Sequence, residues 1–466
     1  MARESWNTRV GFILAAVGSA VGLGNIWRFP WMTAENGGSA FLLVYLLIIV
    51  AVGVPGLLGE FVIGRRANRN PVGALASLSG SKRWGYVGLI TVVTALSLLS
   101  FYSVVGGWII RYFLGSFTGA YFAQPGAYFE AINFGWEAAG FHVLFLAITG
   151  TIVYAGVRRG IEIATKVMMP SIVVLLVGLA AWAVTQPGAG AGLDFYLAFE
   201  MAPLRENFFD ILLAAAGQAL FTLSVGAGTM ITYASYIGED RSLAADGVAI
   251  GVTNTFVGVL AGLVVFPLLF AQGIEVGAGG PGALFVSIAG AFSALPGGVI
   301  LSVGFFGVVT LAALSSSISM LEIPVSYLVD EFGFSRAKAT GGLVLVYLVT
   351  GTYVALTPGV FDFVAGTLVD LLLTGGLLAF LLFVGWVLGQ TAIEEFEMGA
   401  GAISRSISHP WLYAVGVLLP LFLLFTLLTG ILGVFEVSID TTWTLVATAI
   451  LGLVAFVGLR HPESAI

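Results

Sequence analysis

Apolar residues run through this chain in long blocks rather than at the spacing of an amphipathic surface helix. About 20 consecutive apolar residues are needed to cross a hydrocarbon core as a helix. Runs of that order, separated by charged or Gly/Pro-rich breaks, lie at 10–31, 38–64, 85–116, 140–156, 161–184, 208–237, 244–271, 299–329, 338–356, 362–389, 411–433 and 441–459. They predict an all-α polytopic membrane protein with about twelve transmembrane helices. An even number of spans puts both termini on one side. If that side is the cytoplasm, inner segments hold 15 of the 18 lysines and arginines, leaving Arg28, Arg111 and Arg205 outward or buried. Cytoplasmic loops favour Lys and Arg in this way. Both termini are therefore expected in the cytoplasm, and the protein in the plasma membrane.

Composition sharpens this reading. Of 466 residues, 59% are hydrophobic and only 9% charged, where a soluble domain carries about a quarter charged. The absence of cysteine excludes disulfides and thiolate metal sites. The first apolar run holds polar residues and no small-residue cleavage site, so a signal peptide is not expected. A net charge of −7 beside only three lysines is a slight indication of a high-salt habitat. No nucleic-acid partner is expected. The outer connection 272–298 alternates glycines with apolar pieces, including Leu284, Phe285, Val286 and Phe292. Re-entrant or cap-like helices over an outer vestibule suit it, with a membrane-surface loop as the alternative.

Two spans are interrupted at mid-depth. "GSAVGLGNIWRFP", Gly18–Pro30, places three glycines, Asn25 and Arg28 inside the first span. Gly costs about 1 kcal/mol in a helix interior, and backbone groups freed in lipid need new partners. Val225-Gly226-Ala227-Gly228 in span six repeats the pattern of Val21-Gly22-Leu23-Gly24 in span one. Five spans separate the two, so they run in opposite directions. Paired broken helices in inverted halves point to a midplane transport site. Gly18 and Gly22 alone would read as a GxxxG packing face. The second break and the polar Thr222 and Ser224 turn the reading toward a site.

"RESWNTRVGFILAAVGSAVGLGNIWRFPWMTAENGGSAF" resembles the opening of the neurotransmitter:sodium symporters, which share the leucine-transporter fold. "GVPGLLGEFVIGR", "GQALFTLSVGAGTMITYASY", "TNTF", "LSSSISMLEIP" and "DFVAG" continue the resemblance along the chain. It implies a 5+5 inverted repeat with unwound helices 1 and 6. Residues 1–184 would form the first repeat, 185–389 the second, and 390–466 the last two spans and tail. It further implies a sodium-coupled symporter importing an α-amino acid by alternating access.

The carboxylate of such a substrate suits N–H groups freed at a helix break, here around Leu23 and Gly24. By resemblance Tyr102 also donates to it, and the amine meets the carbonyls of Ala20 and Phe221, with Thr222 and Ser224 nearby. The apolar side matches Leu98, Phe221, Ala227, Ser316 and Met320, which points to a hydrophobic or aromatic side chain. Two sodium ions are implied. The first would sit on Ala20, Asn25, Thr222, Asn254 and the substrate carboxylate. The second would use Gly18, Val21 and Ala312 carbonyls with Ser315 and Ser316 hydroxyls. Gates would be Arg28 with Asp362 outside, above Phe221 and Tyr102, and Arg3 with Asp330 inside, packed by Trp6, Ser235 and Tyr236.

Gly160 and Pro170 bracket a segment of span five that the resemblance would unwind for sodium release. Tyr45 and Gln218 match the chloride ligands of chloride-dependent members, but Gly258 supplies neither hydroxyl nor carboxylate, so chloride dependence stays open. Asp370 and Glu322 are candidates for the missing negative charge, and Glu60 is a structural acid. An osmolyte carrier or a carrier with another driving ion keeps the same fold. A channel would need a continuous polar pore, whereas polar residues here concentrate at one depth. An enzyme is not expected, because the histidines lie near span ends or tails and no nucleophile–base pair appears.

Overall fold

The structure, a computed structural model, describes residues 6–238, 241–273, 280–435 and 444–452. No strand occurs among the described residues. Nine helices there are long and apolar enough to cross a membrane: Ser39–Ala67, Lys82–Ser116, Trp136–Tyr154, Val157–Ala183, Leu243–Ala271, Gly298–Phe332, Arg336–Leu356, Pro358–Leu388 and Ala402–Val434. They correspond to expected spans two to five and seven to eleven. Span one is a bent pair, Arg9–Ala20 and Gly24–Glu35, turned by 45° at the break. Span six divides into Phe208–Leu223 and Thr229–Ala234. The expected twelfth span, 441–459, is helical at 444–452 and otherwise lies outside the described residues.

Local chemistry sets the helix ends. The hydroxyl of Thr8 accepts the Gly11 N–H at 2.9 Å and starts span one. Ser81, Ser242 and Ser335 cap spans three, seven and nine in the same manner. Such caps satisfy N–H groups that have no partner inside the helix. Asn68 ends span two in the left-handed region, with φ 50°. Spans three and eight pack together along much of their length, and span eight also lies against the first half of span one. Residue size permits the closest approaches. A Cβ on Gly226 would stand 2.0 Å from the Leu373 carbonyl oxygen, and one on Gly376 2.1 Å from that of Gly226. The span-six break is thereby seated directly on span ten.

The connection at 272–298 contains a helix, Gly280–Ser293, although residues 274–279 lie outside the described set. Phe285 of this helix stacks on Tyr112 at 5.4 Å and reaches Trp27 at 6.2 Å between ring centroids. This helix, with Phe285, Ile288 and Phe292 buried, packs over spans one and three.

Candidate functional site

Breaking a buried helix frees backbone groups, and here their new partners define the site. In span one, the Gly22 N–H donates to Asn25 Oδ1 at 3.1 Å and the Leu23 N–H to the Tyr102 hydroxyl at 3.2 Å. Gly24 begins a single π-helical turn through Arg28, and its carbonyl accepts from Gln218 Nε2 at 2.7 Å. The carbonyls on the other side of the break go to serines. Ser315 Oγ donates to Val21 at 3.1 Å, and Ser316 Oγ to Ser19 at 2.9 Å and Gly18 at 3.4 Å.

Span six breaks through three positive-φ residues, Ser224 at 53°, Gly226 at 93° and Gly228 at 76°. The Ser224 hydroxyl donates back to the Ser19 carbonyl at 3.0 Å, joining the two breaks. The Glu60 carboxylate on span two accepts the N–H groups of Gly226, Met230 and Ile231 at 2.6, 3.1 and 3.3 Å. A buried acid thus serves as N-terminal cap to the second half of span six, where the helix dipole favours negative charge.

Between the breaks, oxygens gather. The side-chain oxygen of Asn254 stands 3.1 Å from the Ala20 carbonyl, and 3.2 and 3.3 Å from the Thr222 hydroxyl and carbonyl. Asn25 joins through its amide, 2.9 Å from Asn254. Turning the Asn254 amide would put an N–H₂ among these acceptors; a hard cation among them satisfies the same oxygens without the turn. Such ions take oxygen ligands at roughly 2.3–2.6 Å, which brings neighbouring ligands to about the separations seen. The four residues expected at the first ion site therefore meet; Ala20, Thr222 and Asn254 present oxygens that fit a hard cation, while Asn25 turns its N–H₂ to Asn254 and its oxygen to the Gly22 N–H. At the second, Ser315 Oγ links the Val21 and Ala312 carbonyls, the latter at 2.9 Å. Ser316, the next residue of span eight, lies toward Gly18 and Ser19 instead.

The residues expected to meet a substrate lie around the two breaks. A Cβ on Gly22 would meet Ser316 Oγ at 2.0 Å and the Tyr102 hydroxyl at 3.0 Å. One on Gly24 would meet the Phe221 ring at 3.0 Å and Thr222 Cα at 3.2 Å. Leu98 precedes Tyr102 by one turn and Met320 follows Ser316 by one, and both are buried, as is Ala227 in the span-six break. Ser224, expected near the amine, already spends its hydroxyl proton on Ser19.

Above the break, Arg28 pairs with Asp370 at 2.8 Å and stacks 4.6 Å over the Phe221 ring. Asp362, its expected partner, faces it across a cavity of about 210 Å³ lined also by Trp27, Trp31 and Phe101. On the opposite side of the break, Trp6 Nε1 donates to the Tyr233 carbonyl at 3.0 Å, and the Trp6 N–H to that of Tyr236 at 3.3 Å. Asp330 accepts the Asn70 N–H at 2.9 Å. Arg3 lies outside the described residues. Span five opens with a π-helical turn, Val157–Ile161, and is then helical through Pro170 to Ala183.

The acids weighed as substitutes for an anion are engaged elsewhere. Glu322 forms a two-pronged pair with Arg336 at 2.7 and 2.8 Å and accepts from the Tyr236 hydroxyl at 2.9 Å. Asp370 is held by Arg28. Around Gly258 the Tyr45 hydroxyl and Gln218 Oε1 are buried without a partner, and a Cβ on Gly258 would only touch Asn25 and Phe29 at 3.7–3.9 Å. Sequence reasoning did not see the Arg28–Asp370 pair or the Glu322–Arg336–Tyr236 link. The four-residue steps from Asp362 through Gly366 to Asp370 were the available signal for the first.

Residues 3–124 and 134–457 match the sodium:neurotransmitter symporter family. The uncharacterized sodium-dependent transporter YhdH of Bacillus subtilis (strain 168) is 35% identical over 449 residues, covering 92% of this chain and 98% of its own. The uncharacterized sodium-dependent transporter MJ1319 of Methanocaldococcus jannaschii is 31% identical, covering 91% and 89%. Among solved structures, MhsT in complex with L-phenylalanine superposes with a TM-score of 0.83 at 36% identity, over 92% of this chain and 100% of that one. The chain is a multi-pass membrane protein of the leucine-transporter fold and belongs to the sodium:neurotransmitter symporter family.

Proposed function

We propose that this protein is a sodium-coupled symporter that imports a hydrophobic or aromatic α-amino acid by alternating access, with both termini in the cytoplasm. The observation that carries the reading is the meeting of two broken helices around one set of oxygens, beside the N–H groups that the span-one break turns to side chains. The Leu23 N–H donates to the Tyr102 hydroxyl at 3.2 Å, and a carboxylate entering here would take both as donors. The Ala20 carbonyl, Thr222 and Asn254 form the adjoining ion shell, which Asn25 would join by turning its amide oxygen inward. A carboxylate bound to the first pair adds an oxygen to the second, so ion and substrate stabilise each other. That coupling is reciprocal: each raises the other's affinity by the same factor. The second ion, on Val21, Ala312 and Ser315, braces span one against span eight. Buried Leu98, Ala227 and Met320 leave an apolar side to the site, and MhsT, crystallised with L-phenylalanine, is similar over its whole length.

Residues 1–184 and 185–389 act as the two repeats that rock about this site. Gln218 gives its N–H₂ to the Gly24 carbonyl and Gly258 adds no ligand beside Tyr45, so external chloride is varied in the uptake assay. Reconstitution into proteoliposomes under an inward sodium gradient tests the reading with labelled phenylalanine, leucine, tryptophan and glycine betaine. Phenylalanine uptake should exceed background at least about tenfold and vanish when potassium replaces external sodium. Gradient-independent uptake, or uptake of betaine alone, overturns it.

A further inference from the structure

Arg28 and Asp362 line the outer cavity and Asp370 holds Arg28 from beside it, and a single Arg–Asp gate uses only two of the three charges. Arg28 donates to Asp370 Oδ2 at 2.8 Å, with a weaker contact to the Gly217 carbonyl at 3.5 Å. Asp362 lines the same cavity as Arg28. On span ten, Asp362, Gly366 and Asp370 follow at four-residue steps, close to one turn each across the π-helical turn Val364–Leu368, which keeps them near one helix face. Gly366 also lines the cavity, and a Cβ there would meet nothing within 4 Å. The face between the two carboxylates is therefore open to the long Arg28 side chain.

The two acids differ in depth. Asp370 stands one turn from Leu373, whose carbonyl lies against Gly226 in the span-six break. Asp362 is two turns farther out. The grip of Asp370 is also incomplete, since its Oδ1 is buried without a partner. A bidentate Arg–carboxylate pair would be the stronger arrangement. With Arg28 drawn down to Asp370 and laid on Phe221, the cavity of about 210 Å³ between Arg28 and Asp362 stays open.

We infer that span ten carries two stations for Arg28: Asp370 holds the outer gate open, and Asp362 receives the guanidinium when the cavity closes over substrate. Asp370 is then a positioning residue that sets the open population through Arg28. The substrate-linked half of this inference rests on the proposed amino-acid symport, and the sodium-only half does not.

The chain has no cysteine, so Ala365→Cys, on the cavity wall, reports its accessibility. Reconstituted protein is labelled with a membrane-impermeant thiol reagent in sodium, with and without phenylalanine. Asp370→Asn should slow labelling in sodium alone by about tenfold, the factor carried by a hydrogen bond to a charged group. Asp370→Glu should keep the parent rate. Asp362→Asn should keep the sodium-only rate and lose the protection that phenylalanine gives the parent. Labelling of Asp370→Asn at the parent rate or faster overturns the inference. Should Asp370→Asn fail to fold, Asp370→Ser takes its place. Failure of both marks Asp370 as a mere structural counter-ion and likewise overturns it. Absence of any phenylalanine effect on the parent counts against the proposed substrate and leaves the sodium-only comparison to decide the Asp370 station.

Discussion

At the scale of single residues, Gly22 is the tightest constraint on the site. Its missing Cβ is the space in which Ser316 Oγ and the Tyr102 hydroxyl approach the span-one backbone. Neither side chain is free to retreat. Ser316 Oγ is bonded to the Ser19 carbonyl at 2.9 Å, and the Tyr102 hydroxyl accepts the Leu23 N–H at 3.2 Å. Gly22→Ala should therefore displace the donor pair proposed for the carboxylate and cost at least about tenfold in phenylalanine affinity, or roughly 1.4 kcal/mol. Sodium-dependent binding measured by scintillation proximity checks this. Adding Ser316→Ala removes the atom in closest conflict but leaves Ser316 Cβ 2.9 Å away, so rescue should be partial. Such non-additivity is the mark of residues in contact. A Gly22→Ala protein that binds as the parent does would place the substrate away from this break.

At the scale of elements, the second half of span six is a helix of only six residues, Thr229–Ala234. So short a helix has little stability of its own. Glu60 holds it from span two by accepting three N–H groups at its start. Glu60→Ala would leave those donors buried and unpaired, at about 1–3 kcal/mol each. Glu60→Gln keeps one acceptor oxygen but turns an N–H₂ toward the other donors. Thermal unfolding in detergent should rank the parent above Glu60→Gln, and Glu60→Ala lowest, by about 3 kcal/mol or more. Equal melting of all three would remove Glu60 from this role. The sequence made the spans legible because burial in lipid selects length and hydropathy, which need no partner to be read. The breaks were legible because Val21–Gly24 and Val225–Gly228 repeat one motif. Side-chain pairing across spans was less so. Asp362 and Asp370 occupy the same face of span ten, and only the packed height of span one selects between them. Glu322 likewise could not be separated from an anion substitute until the fold brought Arg336 and Tyr236 to it.

At the scale of the whole molecule, the side of the site opposite Arg28 is closed by the chain's own N-terminal segment. Trp6 packs on Phe12, Tyr233 and Tyr236. The next two residues are fastened to span five, since the Glu162 carboxylate accepts the Asn7 N–H and the Thr8 hydroxyl, each at 2.8 Å. Lys166 completes the clamp at 2.6 Å, and Gly11 leaves room for it, because a Cβ there would stand 2.3 Å from the Glu162 carboxyl. Span five begins at this point with its π-helical turn, so the clamp joins the end of span one to the segment expected to unwind. Glu162→Ala removes two hydrogen bonds to an ionised acceptor, about 1.5–3 kcal/mol each in place. Even half of one such bond raises the population open on this side by several-fold, because about 1.4 kcal/mol is a factor of ten. Affinity reports such a shift poorly while the competent state still dominates, since it falls only with the competent fraction. Labelling of a buried cysteine follows the minor state directly. A Ser235→Cys reporter, behind Trp6, should react about tenfold faster in solubilised Glu162→Ala protein than in the parent. Phenylalanine affinity should meanwhile fall less than labelling rises, and Glu162→Gln, which retains one acceptor, should lie between. Equal labelling of all three proteins would show that Trp6 packing alone keeps this side closed.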